Sequence, residues 1–117
     1  MEEAERKYRR WVHECSELKA EILILFGSVV KTKDHKDVDL LMVIENKDYK
    51  TIINLIGKKN EILMKPIHPI FQTREDLKNN ILKRDEVIVD ALKTGVVLKG
   101  QKELVEVIKD VTSAQAY

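Results

Sequence analysis

Leu25-Phe26-Gly27-Ser28 is followed, after eight residues, by Asp37-Val38-Asp39-Leu40-Leu41, and the reading of these two runs decides the fold. Ile22-Leu23-Ile24-Leu25-Phe26 carries no polar side chain. An apolar run of that length, ended by Gly-Ser, predicts a strand covered on both faces. Val38 to Ile44 predicts a second strand, and two aspartates alternate with apolar residues where it opens. Side chains two apart on a strand leave the same face, with Cα atoms roughly 6.5–7 Å apart, so Asp37 and Asp39 point together. A carboxylate in an apolar strand is costly unless it is paired, metal-bound or at the open end. Two on one face suit one or two hard cations, which prefer oxygen ligands. The plainer alternative is that the two acids pair with neighbouring lysines at the strand end.

The rest of the composition narrows the setting. The chain has 117 residues, enough for one domain with a real core, and 1–117 is read as a single domain. Its 21 Lys and Arg against 20 Asp and Glu leave a net charge of +1, which argues against strong duplex nucleic-acid binding through a basic surface. The single Cys15 has no disulfide partner within the chain, as suits a reducing cytoplasm. No apolar run approaches the roughly 20 residues of a membrane span.

Outward from the central runs, residues 2–20 predict a helix with Glu2, Glu3 and Glu5 in its first turn and an apolar stripe of Tyr8, Trp11, Val12, Cys15 and Leu18. Arg6, Lys7, Arg9 and Arg10 read as its solvated face, and Trp11 as a packing residue or part of a subunit contact; an exposed stripe would suit a homodimer. Gly27 allows close approach of a ligand, and Ser28 is placed to cap a short helix whose exposed N–H groups attract phosphate. A calcium-binding EF-hand beginning at Asp34 is excluded, because Lys36, Val38 and Asp39 fall where oxygen ligands and glycine are required.

After the second strand, Asp48 opens a helix carrying Ile52, Leu55 and Ile56 and stopping at Gly57. An extended segment from Glu61 to Gln72 contains Pro66 and Pro69, which mark an edge strand or a bulge. Thr73 with Asp76 forms a capping pair for a helix towards Leu82. Asp85 caps another, with Val87, Ile88, Ala91 and Leu92 as core candidates and Gly95 as its stop. Val96-Val97-Leu98 is a short strand ending near Gly100. A last helix over 101–111 carries Leu104, Val107, Ile108 and Val111, and the tail from Thr112 is expected to fray.

The run Leu-Phe-Gly-Ser, eight residues, then Asp-Val-Asp-Leu-Leu resembles the nucleotidyltransferase superfamily that includes DNA polymerase beta. More closely it is similar to the minimal nucleotidyltransferases of bacteria and archaea, small domains often found beside a HEPN-type partner. The likeness runs from about Ile22 to Gly100 and includes the ending Leu92-Lys93-Thr94-Gly95-Val96-Val97-Leu98-Lys99-Gly100. It implies an α/β (α+β) fold, a small mixed sheet of about three to five strands flanked by helices. It also implies that Gly27 and Ser28 hold a triphosphate, with ATP the first candidate, and that Asp37 and Asp39 bind Mg2+ or Mn2+. The implied reaction is transfer of a nucleoside monophosphate from an NTP to a hydroxyl of a small molecule or a protein. The other reading is a weakly active or inactive nucleotide-binding, antitoxin-like module that pairs with a HEPN-type protein.

Two positions depart from the family's pattern. Members often carry arginine directly after Gly-Ser, where this chain has Val29 and Val30; Lys31 is the candidate for the missing charge, with Lys33 and Lys36 as alternatives. Active members place a third carboxylate on the next strand, and aligning the strand that ends in Gln72-Thr73-Arg74 puts His68 there. Imidazole suits zinc, copper or nickel better than magnesium. His68 could also act as a general base. The plainer role is a local hydrogen bond beside Pro69. Glu61 could supply the missing carboxylate only with a register shift.

Overall fold

The computed structural model describes residues 2–115, with side chains described over 7–113. The expected first-turn carboxylates of Glu2, Glu3 and Glu5, and the side chain of Arg6, lie outside the described residues. The elements run α1 (Glu2–Glu14), β1 (Ile22–Phe26), α2 (Ser28–Lys31), β2 (Val38–Val43), a 3-10 turn (Asn46–Asp48), α3 (Tyr49–Ile62), β3 (Ile67–Gln72), α4 (Arg74–Leu82), α5 (Glu86–Thr94), β4 (Val96–Lys99) and α6 (Gln101–Gln115). The four strands form one mixed sheet in the order β3-β2-β1-β4. β1 pairs antiparallel with β2 and β4, whereas β2 and β3 are parallel. The two parallel strands are joined through α3, because a parallel pair needs a crossover.

Every residue of β1 is buried, as an apolar run covered on both faces requires. Alternation along β1 and β2 splits the core in two. Leu23, Leu25, Leu40 and Met42 pack with Tyr8, Trp11, Cys15, Ile52 and Ile56, so α1 and α3 cover one face. Ile22, Ile24, Leu41 and Val43 pack with Leu77, Ile88, Ala91 and Val107, so α4, α5 and α6 cover the other. Each such side chain taken fully from water contributes about 1.5–3 kcal/mol before the entropy of ordering it.

Several boundaries differ from the sequence reading. α1 stops at Glu14 rather than near residue 20: a turn follows, in which Ser16 Oγ donates to the His13 carbonyl, and Leu18 is buried from that turn. α3 passes through Gly57 to Ile62, since nothing lies near Gly57 and the ordinary α backbone continues there at a modest entropic cost. The extended segment therefore begins at Ile67, and Glu61 belongs to the last turn of α3. The last helix reaches Gln115, so the chain does not leave helical structure at Thr112. Val12, Val87 and Ile108, expected on apolar faces, are exposed. The remainder of the α1 stripe is consumed by the chain's own core.

Other local readings hold. Thr73 Oγ1 accepts from Asp76 N–H at 3.1 Å while Asp76 Oδ2 accepts from Thr73 N–H at 3.0 Å. Asp85 caps α5 by accepting from Ile88 N–H, and Gly95 ends that helix. Gly95 also sits where a Cβ would lie 2.5 Å from Ile24 Cγ2, so α5 meets β1 closely only because this residue is glycine. Asp48 precedes α3 without a side-chain capping bond and instead lies 3.5 Å from Lys19 Nζ.

β3 is an edge strand, which resolves the meaning of Pro69. The ladder donates Val38 N–H to the Pro66 carbonyl, and Pro69 pairs with Leu40, so period-two alternation turns the Pro69 nitrogen away from β2. Asn60 on α3 covers the outward side of Ile67: its Oδ1 accepts from Ile67 N–H at 2.8 Å and its Nδ2 donates to the Ile67 carbonyl at 2.9 Å. Gln72 Nε2 likewise donates to the Phe71 carbonyl. On the opposite side of the chain, Lys59 ties α3 to the end of α1 through Glu14 and Glu17. Burial opposes the Lys59 charge, but the two carboxylates outweigh it and hold its pKa above the usual value. Among the described residues no helix is long and apolar enough to cross a membrane.

Candidate active site

The end of β1 and the start of β2 meet because the antiparallel register sets Phe26 opposite Asp39. Asp39 lies in the same alternating row as Leu41 and Val43, which are buried under α4–α6, but at the open end of that row. It therefore stays partly exposed, with 25% of its side chain accessible, and avoids the full cost of burying a charge. Asp37, two residues earlier, precedes the strand and is also partly buried. Parallel pairing then sets His68 beside Asp39. One ligand atom from each of Asp37, Asp39 and His68 lies within 4.8 Å of the others.

His68 Nδ1 donates to Asp39 Oδ1 at 3.0 Å. With the Nδ1 proton given to the carboxylate, a neutral His68 keeps its lone pair on Nε2, and the ring remains largely exposed. Asp39 Oδ2 faces Gly27. A Cβ on Gly27 would fall 2.3 Å from that oxygen, and Gly27 has φ +75°, a conformation that side chains with a Cβ seldom adopt. Gly27 is thus required twice, by backbone conformation and by the close approach of the acid.

Gly27, not Ser28, stands at the cap position of α2; Ser28 is the first helical residue. Its carbonyl accepts from Thr32 N–H at 2.9 Å, closing the single turn. Val29 is buried in the α1/α3 side of the core and Val30 packs against it, so the two positions after Gly-Ser are spent on packing here. Lys31 Nζ lies 3.1 Å from Asp90 Oδ1 on α5. The sequence pointed to Lys31 but not to Asp90, whose partner lies 59 residues away along the chain. His35 Nδ1 donates to the Asp37 carbonyl at 3.2 Å, fixing the backbone just before the acids. Glu61, in α3, takes no part in the cluster of Asp37, Asp39 and His68.

Two carboxylates and an imidazole this close fit a divalent cation, with oxygen donors from Asp37 and Asp39 and nitrogen from His68. Asp39 is oriented by the hydrogen bond from the His68 ring, with its other oxygen packed close over Gly27.

Residues 13–103 match the family described as Polymerase beta, Nucleotidyltransferase. No curated protein matches the chain. The matched span takes in all four strands of the mixed sheet, the Gly27–Ser28 corner and the Asp37–Asp39 pair, and the chain belongs to the polymerase beta nucleotidyltransferase family.

Proposed function

We propose that the chain transfers a nucleoside monophosphate from an NTP, with ATP the first candidate, to a hydroxyl of a small molecule or a protein, with Mg2+ or Mn2+ as cofactor. The observation that carries this reading is the convergence of Asp37, Asp39 and His68 against the Gly27 backbone. In this reaction the acceptor oxygen bonds to the α-phosphorus, the bond from that phosphorus to the pyrophosphate oxygen breaks, and the acceptor proton leaves. Asp37 and Asp39 would hold the cation, which on this reading neutralises charge on the phosphate oxygens and orients the leaving pyrophosphate. Gly27 and Ser28 would receive the triphosphate where the backbone is bare of side chains. His68, with Nε2 open to solvent, would take the acceptor proton or complete the cation's ligands. Lys31, held by Asp90, is a candidate for the outer phosphates.

A second reading is supported by His68 itself. Its bond to Asp39 occupies one carboxylate oxygen, and imidazole is a weak magnesium ligand, as suits a nucleotide-binding, antitoxin-like module that pairs with a HEPN-type protein. One experiment separates the two. Mg-ATP is expected to raise the thermal midpoint of the chain and the double variant Asp37→Asn/Asp39→Asn to lose that shift. Transfer of label from the α-phosphate of ATP to an acceptor marks the transferase. A thermal shift with no transfer, across all four NTPs and candidate acceptors, marks the module; no shift at all removes the transferase and leaves only a module that does not bind nucleotide.

A further inference from the structure

The eight residues that join Ser28 to Asp37 do more than connect them. Their middle lines a cavity of about 450 Å³ closed on its other side by α1. Lys31, Lys33 and His35 come from the connection, and Lys7, Tyr8 and Trp11 from α1. Among the described residues no Asp or Glu lines it. Against a net charge of +1 for the whole chain, three ammonium groups around one cavity, one of them paired with Asp90, are a local excess of positive charge among the described residues. Among the described residues Lys7 and Lys33 enter no ion pair, whereas Lys31 is steadied by Asp90. Tyr8 and Trp11 are rooted in the core at 8% exposure and turn only a small part of each side chain to the cavity. The volume falls in the range of small-molecule sites, roughly 300–1,000 Å³.

We propose that this cavity binds a phosphate monoester of nucleotide size: the phosphate is held by Lys7 and Lys33, and the organic part lies against Tyr8 and Trp11. Ammonium groups recognise phosphate as point charges, and aromatic surface accepts a sugar or a base without reading its identity. The cavity follows the same connection as the candidate active site: Lys31 lies within one helical turn of Ser28, and His35 Nδ1 donates to the Asp37 carbonyl. Neither Asp37 nor Asp39 lines it, and Asp39 faces the α4–α6 side of the sheet whereas Tyr8 and Trp11 belong to the α1 side, so this binding stands apart from the transferase reading.

Trp11 is the chain's single tryptophan, so its emission reports on the cavity directly. Titration of the metal-free protein with AMP is expected to change that emission saturably, and ribose 5-phosphate to do the same, while adenosine without phosphate has little effect. The change is expected to persist in Asp37→Asn/Asp39→Asn and to need tenfold or more ligand in Lys33→Glu and in Lys7→Glu, two exposed positions at which folding is checked by circular dichroism. AMP without ribose 5-phosphate binding would assign recognition to the base, and both together to the phosphate. Adenosine as tight as AMP, no saturable change with any probe, or loss of the AMP response in the aspartate variant overturns the proposal.

Discussion

Gly27 leaves no room for any other residue. Alanine there would carry its methyl group into the Asp39 carboxylate while holding a left-handed backbone, a strain of about 1–3 kcal/mol. Gly27→Ala is expected to lower stability by about that amount in urea unfolding and to abolish the Mg-ATP thermal shift, because Asp39 must move. His68 makes a different prediction. His68→Asp restores an oxygen donor beside Asp39, and we expect the Mg-ATP thermal shift to grow severalfold relative to the unchanged protein; an unchanged or smaller shift would mean that His68 already serves the site. The aspartate pair and the glycine were legible in the sequence because strand alternation fixes which side chains share a face. The bond from His68 to Asp39 was open to several readings, since residue order cannot say whether a ring beside Pro69 turns in or out. Asp90 gave no signal at all.

Helix and strand ends show where local signals stop being sufficient. The capping pair of Thr73 and Asp76 was readable because both partners lie within one turn. Backbone and side-chain hydrogen bonds from Thr73 hold the Asp76 carboxyl below the usual aspartate range. A depressed pKa in the folded state means that the carboxylate stabilises α4 above the unfolded value and ceases to do so as pH falls through the folded one. Stability of the unchanged protein is therefore expected to fall more than that of Asp76→Asn between about pH 4 and pH 2, with the two curves converging at the acid end. Parallel curves over that interval would remove the capping role. By contrast, Gly57 looked like a stop yet lies inside α3, and the apolar pattern through Leu18 looked like continued helix yet belongs to a turn. In both cases tertiary packing overrode a weak local preference.

The two-sided core explains why the framework could be anticipated while the cavity beside α1 could not. An all-apolar β1 demands cover on both faces, and only a sheet between two helical layers supplies it. Where α1 lies against α2 depends on the turn after Glu14, which the sequence did not disclose. Cys15, the first residue of that turn, reports on the integrity of this layer. Burial pushes its thiol up to about 11, with Lys59 pulling the other way and Glu14 adding to the rise. At pH 8 the folded chain is expected to react with a thiol reagent at least a hundredfold more slowly than the unfolded chain. Rapid labelling without denaturant would show that the α1 layer opens on its own, well below the free energy of global unfolding.

A sheet can recruit another chain only where a margin offers unspent donors and acceptors, and the β3 margin has few. Asn60 occupies both outward groups of Ile67, Pro69 has no proton to give, and Gln72 takes the carbonyl of Phe71. Among the described residues, a visiting strand would find on that side the Pro69 carbonyl and the Phe71 amide. Extension of the sheet into fibres, or dimers zipped along this flank, is thereby blocked by two amides and an imino acid rather than by charge.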